Sequence, residues 1–324
     1  MIAITGAAGF IGSRLAQHLA RQHYPLLLVD CDLPANKLVN LMGIAPLRFL
    51  DHQSFLNQLE SGSIVPEAIF HLGACSSTTE TNWDYLLQNN VVYSQRLWTW
   101  AARARRPFIY ASSAATYGDG SAGFSDRTPP EHLRPMNLYG KSKNDFDIWA
   151  LNEARNGRLT PSTWAGMKFF NVYGPGEAHK GTMCSVVLKA YRQILSQGEV
   201  TLFRSNDVRI PDGGQLRDFV FVDDCIAHML WLWQRRGPNG IYNSGTGQAR
   251  SFFDLARGVY SAMNLPPRIR FIDMPESLSA HYQNYTQAEM GKLREVGCKL
   301  PSTSLEEGIR RYVAELHSAQ SAAA

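Results

Sequence analysis

The chain carries little that would tie it to a membrane, a disulfide framework or a nucleic acid. Its 324 residues contain no run of about 18 apolar residues, so no membrane-spanning helix is expected. Cysteines are few and odd in number (Cys31, Cys75, Cys184, Cys225 and Cys298). They are widely spaced and form no C-x-x-C pair, which argues against a zinc ribbon and for reduced thiols in a cytoplasmic protein. The N-terminus enters an apolar strand at Met1–Thr5, without the basic and then apolar stretches of a signal peptide. Charge of one sign is also scarce: 32 Lys and Arg face 28 Asp and Glu, a net charge of +4. The run Arg103-Ala104-Arg105-Arg106 reads as a solvated helix end, not a nucleic-acid surface. No internal repeat is visible, and the small, polar tail Ser318–Ala324 is expected to be disordered.

What is present is an alternation of apolar strands and helical stretches through the first half. Strands are expected at Met1–Thr5, Leu26–Asp30, Ala68–His71, Phe108–Ser112 and Gly166–Phe170, with a helix over about Gly12 to Gln22. This pattern predicts an α/β fold, a Rossmann-type doubly wound parallel sheet covered on both faces. After Asn171, loops rich in Gly and Pro separate shorter elements. The expected division is a dinucleotide-binding domain over 1–170 and a smaller substrate-binding lobe over 171–324. The stretch at about 217–246 is expected to complete the sheet. The aromatics of Tyr93–Trp100 and of Trp231–Trp233 fit either core or interface.

Straight after the first strand comes Gly6-Ala7-Ala8-Gly9-Phe10-Ile11-Gly12. Glycines three apart allow a tight turn, close approach of backbone to a pyrophosphate and close helix–strand packing. The helix N-terminus beyond favours the anion. Asp30, at the end of the second strand, suits the ribose hydroxyls of NAD. Lys37 and His52 lie near in sequence, and Lys37 would suit a 2′-phosphate, so NAD and NADP both remain open.

The third part is Tyr139-Gly140-Lys141-Ser142-Lys143, with Ser112-Ser113 ending a strand upstream. Residues four apart share a helix face, which brings the Lys143 ammonium near the Tyr139 phenol. A free phenol ionises near pH 10, and moving that to ~7 takes roughly 4 kcal/mol. A lysine and an oxidised nicotinamide would together favour the phenolate. The phenolate can then take the proton of a substrate alcohol while hydride leaves the same carbon.

Other positions are less decided. His71 ends an apolar strand and reads as a satisfied core histidine. Gly73-Ala74-Cys75-Ser76 offers small residues against which a cofactor could lie. Asn89-Asn90 sit within a helical stretch, where Asn needs a partner. Lys180 reads as a solvated loop lysine, a phosphate clamp or a second acid–base group. Arg217, before an apolar run, offers a fork for a pyrophosphate.

Several strings carry a closer resemblance. Gly73–Glu80 (GACSSTTE), Tyr110–Gly118 (YASSAATYG), Phe170–Pro175 (FNVYGP), His179-Lys180-Gly181, Tyr282-Gln283 and Thr286-Gln287-Ala288 are similar to the ADP-glycero-manno-heptose 6-epimerases. These are extended short-chain dehydrogenase/reductases. The likeness runs from Met1 to about residue 315. The resemblance implies an ADP-sugar substrate, a nicotinamide cofactor that is usually NADP, a homo-oligomer (a pentamer in the family) and a place in lipopolysaccharide inner-core synthesis. It implies no metal.

Tyr139 and Lys180 would be the two acid–base groups. Ser113 would hold the reacting oxygen, and Lys143 would bind the nicotinamide ribose and tune Tyr139. The cofactor would meet Gly6, Gly9, Phe10, Ile11, Gly12, Asp30, Cys31, Lys37, His52, Leu72, Gly73, Ala74, Cys75, Ser76, Asn89, Lys143, Val172 and Lys180. The substrate would meet Ser113, Asn171, Thr182, Lys189, Arg217 and Tyr282, with Phe203, Arg204, Ser205 and Asn206 near the adenosine. Hydride would leave C6 and return to the other face of a transient ketone, with no net redox.

This chain departs from the family pattern at four places. Leu72 replaces an acidic residue, His52 a lysine and Lys189 a histidine, and the loop Ser205–Leu216 is longer. Three rival functions are weighed by single positions. A nucleotide-sugar 4,6-dehydratase needs an acidic pair where Ala114 and Ala115 stand. A 4-epimerase would leave Lys180 dispensable. A non-catalytic dinucleotide sensor has no need of Ser113, Tyr139 and Lys143 together.

Overall fold

The apolar runs of the first half become adjacent parallel strands. The computed structural model describes residues 1–31, 33–276 and 282–323. Its main sheet contains β1 (Ile2–Thr5), β2 (Leu26–Val29), β3 (Arg48–Leu50), β4 (Ala68–His71), β5 (Phe108–Ser113) and β6 (Trp164–Phe169). After β7 (Asn171–Tyr173), β8 (Val200–Phe203) and β9 (Leu216–Phe221), the strand β10 (Gly240–Ser244) returns to that sheet. The order is β3-β2-β1-β4-β5-β6-β10, all pairs parallel. The strand order reverses between β1 and β4, where open α/β sheets bind ligands.

Alternation along each strand sends side chains to two separate cores. Ile4, Leu28, Phe70, Ile109, Met167 and Tyr242 pack with helices Phe10–Arg21 and Val222–Gln234. Ala3, Leu27, Ile69, Phe108 and Tyr110 face the other way, onto His52–Glu60, Tyr93–Arg103 and Leu138–Arg155. The aromatic question resolves toward the core for Trp98, which meets Trp164 at 4.9 Å, and for Trp233, which meets Phe70 at 5.5 Å.

A third core lies wholly in the second half. It joins Tyr173, Val187, Tyr191, Phe221, Val259 and Ile309. Here β9 lies between β7 and β11 (Ala249–Ser251), while β12 (Ile269–Ile272) pairs with β8. Residues 216–221 therefore belong to a separate sheet, and only Gly240–Ser244 of the expected 217–246 stretch joins the main one.

Three differences from the sequence reading have physical causes. The edge strand β3 has only three residues and an exposed face, so it lacks an apolar run. The C-terminal tail is not irregular: helix Leu305–Ala323 runs through it, and Tyr191 Oη donates to Gln320 Oε1 at 3.0 Å. The helix Trp83–Arg103 contains a π turn over Leu87–Val92, which sets Asn90 inward. Among the described residues no helix is long and apolar enough to cross a membrane, and no cluster of side chains could hold a metal.

Candidate active site

A cavity of about 1140 Å³ opens at the carboxyl ends of the main-sheet strands and is walled on its far side by the second half. The glycine turn forms its floor. Gly6 has φ +66°, and a Cβ there would lie 2.6 Å from the Gly73 nitrogen. A Cβ on Gly12 would lie 2.1 Å from the Gly6 oxygen. Only glycine lets β1, β4 and the first helix converge this closely. The helix begins at Phe10, so the unpaired N–H groups of its first turn meet the cavity. This cradle fits a dinucleotide pyrophosphate.

Asp30 is buried behind the turn. Its Oδ2 accepts from the Ala8 N–H at 2.8 Å and its Oδ1 from Lys37 Nζ at 2.6 Å. The sequence left Asp30 and Lys37 as rivals; the structure makes them partners. His52, on the first turn of helix His52–Glu60, also lines the cavity, and its Nδ1 is buried without a hydrogen bond.

The chemistry gathers where β5 ends. Ser113 and Tyr139 share a hydrogen bond, and Ser113 Oγ also accepts from the Ala115 N–H at 3.1 Å. The adjacent Ser112 is turned away and donates to Asp147 Oδ2 at 2.7 Å, so strand alternation separates the two serines. Burial pushes the Tyr139 phenol up, against the Ser113 bond. The protein alone therefore keeps Tyr139 protonated, and the expected phenolate needs a charge the chain does not provide there. Burial lowers the Lys143 ammonium to about 8, with Asp147 and Cys75 working the other way.

Lys180 arrives from the second half, on the 3₁₀ segment Ala178–Met183. Its Nζ stands over the Phe10 ring at 5.6 Å, and burial lowers its pKa while Glu177 raises it. Arg217 is 8% exposed, lies 5.2 Å from the Tyr282 ring and 5.5 Å from the Phe252 ring, and donates to the Leu216 carbonyl at 2.9 Å. No carboxylate among the described residues faces it. Among the described residues, Lys37, Lys143, Lys180, Lys189 and Arg217 line the cavity against the single carboxylate of Asp30. That balance suits anionic ligands.

The cavity also brings together Gly9, Ile11, Cys31, Leu72, Ala74, Cys75, Ser76, Asn89, Asn171 and Val172. It does not include Thr182, which is exposed, nor Phe203, Arg204, Ser205 and Asn206. Phe203 ends β8, and Arg204 is engaged with Asp273 at 2.9 Å, toward the rim of the small lobe. His71 is the core histidine expected: its ring bonds Thr5 Oγ1 at 2.7 Å and Ser94 Oγ at 2.8 Å, and burial lowers its pKa to about 3.

Three supporting residues, Asp147, Lys168 and Glu177, were not singled out from the sequence; Asn90 was, as one of two helical asparagines in need of a partner. Asn90 Oδ1 accepts from the Cys75 N–H at 2.8 Å, and its Nδ2 donates to the Cys75 carbonyl at 3.0 Å, fixing the loop after β4. Asp147 and Lys168 form a buried pair behind the Tyr139 helix. Glu177 underlies Lys180. The positions of Asp147, four and eight after Lys143 and Tyr139, and of Lys168 within an apolar strand were signals that could have found that pair. Glu177 left no such signal.

The chain belongs to the NAD dependent epimerase/dehydratase family, whose model matches residues 2–245. It is 45% identical over 317 residues to the ADP-L-glycero-D-manno-heptose-6-epimerase of Nitratidesulfovibrio vulgaris strain Hildenborough, with 97% of each chain covered. The protein of that name from Fusobacterium nucleatum subsp. nucleatum is 42% identical over 326 residues, again with 97% of each chain covered. Among solved structures, the ADP-L-glycero-D-manno-heptose-6-epimerase of Helicobacter pylori superposes with a TM-score of 0.82 at 28% identity, covering 98% of this chain and 96% of that one. The UDP-glucose 4-epimerase of Thermotoga maritima, at 24% identity and a TM-score of 0.79, shares the fold.

Proposed function

We propose that this chain is an epimerase that inverts C6 of ADP-D-glycero-D-manno-heptose to give ADP-L-glycero-D-manno-heptose through a transient ketone. The observation that carries the reading is that Tyr139 and Lys180 reach one cavity from separate elements, a helix and a loop. The relatives' shared name supports the substrate.

A nicotinamide bound in this cavity would supply the hydride acceptor and donor at C6 and, when oxidised, a positive charge. Ser113 holds the reacting oxygen and orients it toward Tyr139. Tyr139 takes the hydroxyl proton on one face, its phenolate favoured by the charge an oxidised nicotinamide would bring, while Lys143, four residues along the same helix, would hold the nicotinamide ribose. Lys180 serves the other face, so neither side chain crosses the sugar. Arg217, set between two rings and facing no carboxylate among the described residues, holds the diphosphate, with Asn171, Lys189 and Tyr282 around the sugar nucleotide. Thr182 and the segment Phe203–Asn206 lie outside the cavity lining and would meet only a substrate that extends beyond it.

Two lobes divide the work in this reading: residues 1–170 with 222–244 hold the dinucleotide, and most of the remainder holds the substrate. NADP is favoured over NAD because Lys37 is the cation beside Asp30. The reading carries with it lipopolysaccharide inner-core synthesis, a cytoplasmic setting and a homo-oligomer, the last open to light scattering.

The test is turnover of ADP-D-glycero-D-manno-heptose with product stereochemistry read by NMR, for wild type and Lys180→Ala. Inversion that collapses in the variant supports both substrate and two-base chemistry. Inversion that survives keeps the substrate and removes Lys180 as second base. A folded, cofactor-loaded wild type without turnover overturns the substrate assignment.

A further inference from the structure

The two ends of the segment Gly174–Ser185, which carries Lys180, meet at one carboxylate. Glu177 is 1% exposed. Its Oε1 accepts from the Gly174 N–H at 3.4 Å and from Ser185 Oγ at 2.6 Å, and its Oε2 accepts from the Ser185 N–H. The Tyr312 hydroxyl, on helix Leu305–Ala323, donates to the same group. Ser185 in turn caps helix Val186–Gln197, so the clamp is anchored in the second core. On the opposite side Asn40 Nδ2 donates to the Gly176 carbonyl at 3.0 Å, meets His179 Nδ1 at 3.1 Å and also donates to the Ala8 carbonyl of the glycine turn at 3.0 Å.

Between these fastenings the backbone turns at two glycines and is held by the Lys180 N–H to Glu177 carbonyl bond at 3.0 Å and the Cys184 N–H to Gly181 carbonyl bond at 3.3 Å. Gly176 and Gly181 take φ +98° and +55°, and a Cβ on Gly181 would meet nothing within 4 Å. The Glu177 clamp, the Asn40 contacts and these two bonds together place Lys180. A buried carboxylate satisfied by several N–H and O–H donors is held firmly, and its charge favours a neighbouring ammonium. The charged and titratable groups around Lys180 are Glu177 and Cys184 on its own segment and His179 beside it. Glu177 also faces Tyr312 and Cys184, and Cys184 lies near Lys189 and Arg192 of the following helix.

We propose that Glu177 is the positioning residue of Lys180: its carboxylate closes the loop that carries the ammonium and fixes that ammonium in the cavity wall. The inference rests on reading Lys180 as an acid–base group. It requires more of Glu177 than folding, because loss of its charge must reach Lys180 itself.

Glu177→Gln keeps the shape and removes the charge. Two readouts apply: kcat and KM for ADP-D-glycero-D-manno-heptose, and acetic anhydride labelling of Lys180 against pH, read by mass spectrometry. The expected result is a kcat lower by about 100-fold, the cost of a displacement near 1 Å, with KM little changed. Labelling of Lys180 moves to lower pH, and Glu177→Asp recovers part of kcat. A folded Glu177→Gln protein with wild-type kcat and wild-type labelling overturns the proposal.

The two ideas fail differently. If Lys180→Ala stays active, the acid–base reading falls, yet the labelling of Lys180 in Glu177→Gln still decides whether Glu177 places it. If Glu177→Gln does not fold, Ser185→Ala loosens the same clamp while keeping the carboxylate. It should lower kcat to a smaller degree and speed labelling, and no change in either overturns the proposal.

Discussion

Asp147 and Lys168 form a buried ion pair behind the reacting face of helix Leu138–Arg155. Lys168 Nζ stands 2.8 Å from Asp147 Oδ2, and the two side chains are 2% and 0% exposed. Tyr110 and Ser112 donate to the same carboxylate, and Lys168 also donates to Thr116 Oγ1 at 2.6 Å. The pair thus ties β5, β6 and the helix together beneath Ser113 and Tyr139.

Removing one partner strands a buried charge, which costs about 3–5 kcal/mol. Asp147→Asn should therefore lower the unfolding midpoint in denaturant by a correspondingly large amount. Removing both partners as Asp147→Leu with Lys168→Met should recover only part of the loss, because no charge is left unpaired but the buried Tyr110 and Ser112 hydroxyls lose their acceptor. A double variant destabilised by the sum of the two single effects would show that the charges are not coupled.

Lys143 predicts a pH dependence of stability. Its ammonium is lowered to about 8, against 10.5 for an ordinary lysine, chiefly by burial. Below about 8 both folded and unfolded chains hold the proton, and the full cost of burying it is present. Between about 8 and 10.5 the unfolded chain binds a proton that the folded one has released, so this cost fades as pH rises. At neutral pH it amounts to roughly 3 kcal/mol, at 1.36 kcal/mol per tenfold in proton affinity. Lys143→Met should accordingly be more stable than wild type at pH 7, with the gap closing toward pH 10. A gap that is independent of pH would refute the depressed value.

Asn90 is the support of the loop after β4. Asn90→Ala removes the partner of both backbone groups of Cys75 and of Ser142 Oγ, which Asn90 Nδ2 meets at 2.9 Å. Each buried group left unsatisfied costs about 1–3 kcal/mol. Hydrogen exchange should rise over residues 73–77 and binding of reduced cofactor should weaken, while exchange in β6 stays unchanged. Unaltered protection at Cys75 would show that the loop holds itself.

The sequence made the sheet and its glycine cradle legible because both follow from local rules: apolar runs of strand length, and glycine where a Cβ would collide. Tyr139 and Lys143 were legible because four residues on a helix make one face. The residues that hold the site in place were not. Asn90 needed a π turn to point inward, and no propensity announces one. Glu177 meets Ser185 and Tyr312, and the second contact spans a distance in sequence that only the fold closes. The exclusion of Phe203–Asn206 from the cavity follows from where β8 pairs with β12, a contact between distant stretches. Asp30 and Lys37 were both seen, but their bond turned a choice between two cofactors into one joint device.

That device makes the last prediction. The bond between Lys37 Nζ and Asp30 Oδ1, at 2.6 Å, leaves the Asp30 carboxylate 3% exposed and neutralised. A 2′-phosphate approaching Asp30 would be repelled by the bare carboxylate and attracted by Lys37. The ribose hydroxyls of NAD need only the carboxylate as acceptor. Lys37→Ala removes the attraction and exposes the repulsion together. A charge-assisted hydrogen bond is worth about 1.5–3 kcal/mol, which converts to roughly 10- to 100-fold in affinity. NADP should therefore bind Lys37→Ala at least ~10-fold more weakly than wild type. NAD should be unaffected or bind better, because Asp30 regains a free oxygen. Calorimetric titration of both nucleotides against both proteins measures the four constants, and equal weakening of NAD and NADP would assign Lys37 to holding the turn and not to reading the ribose.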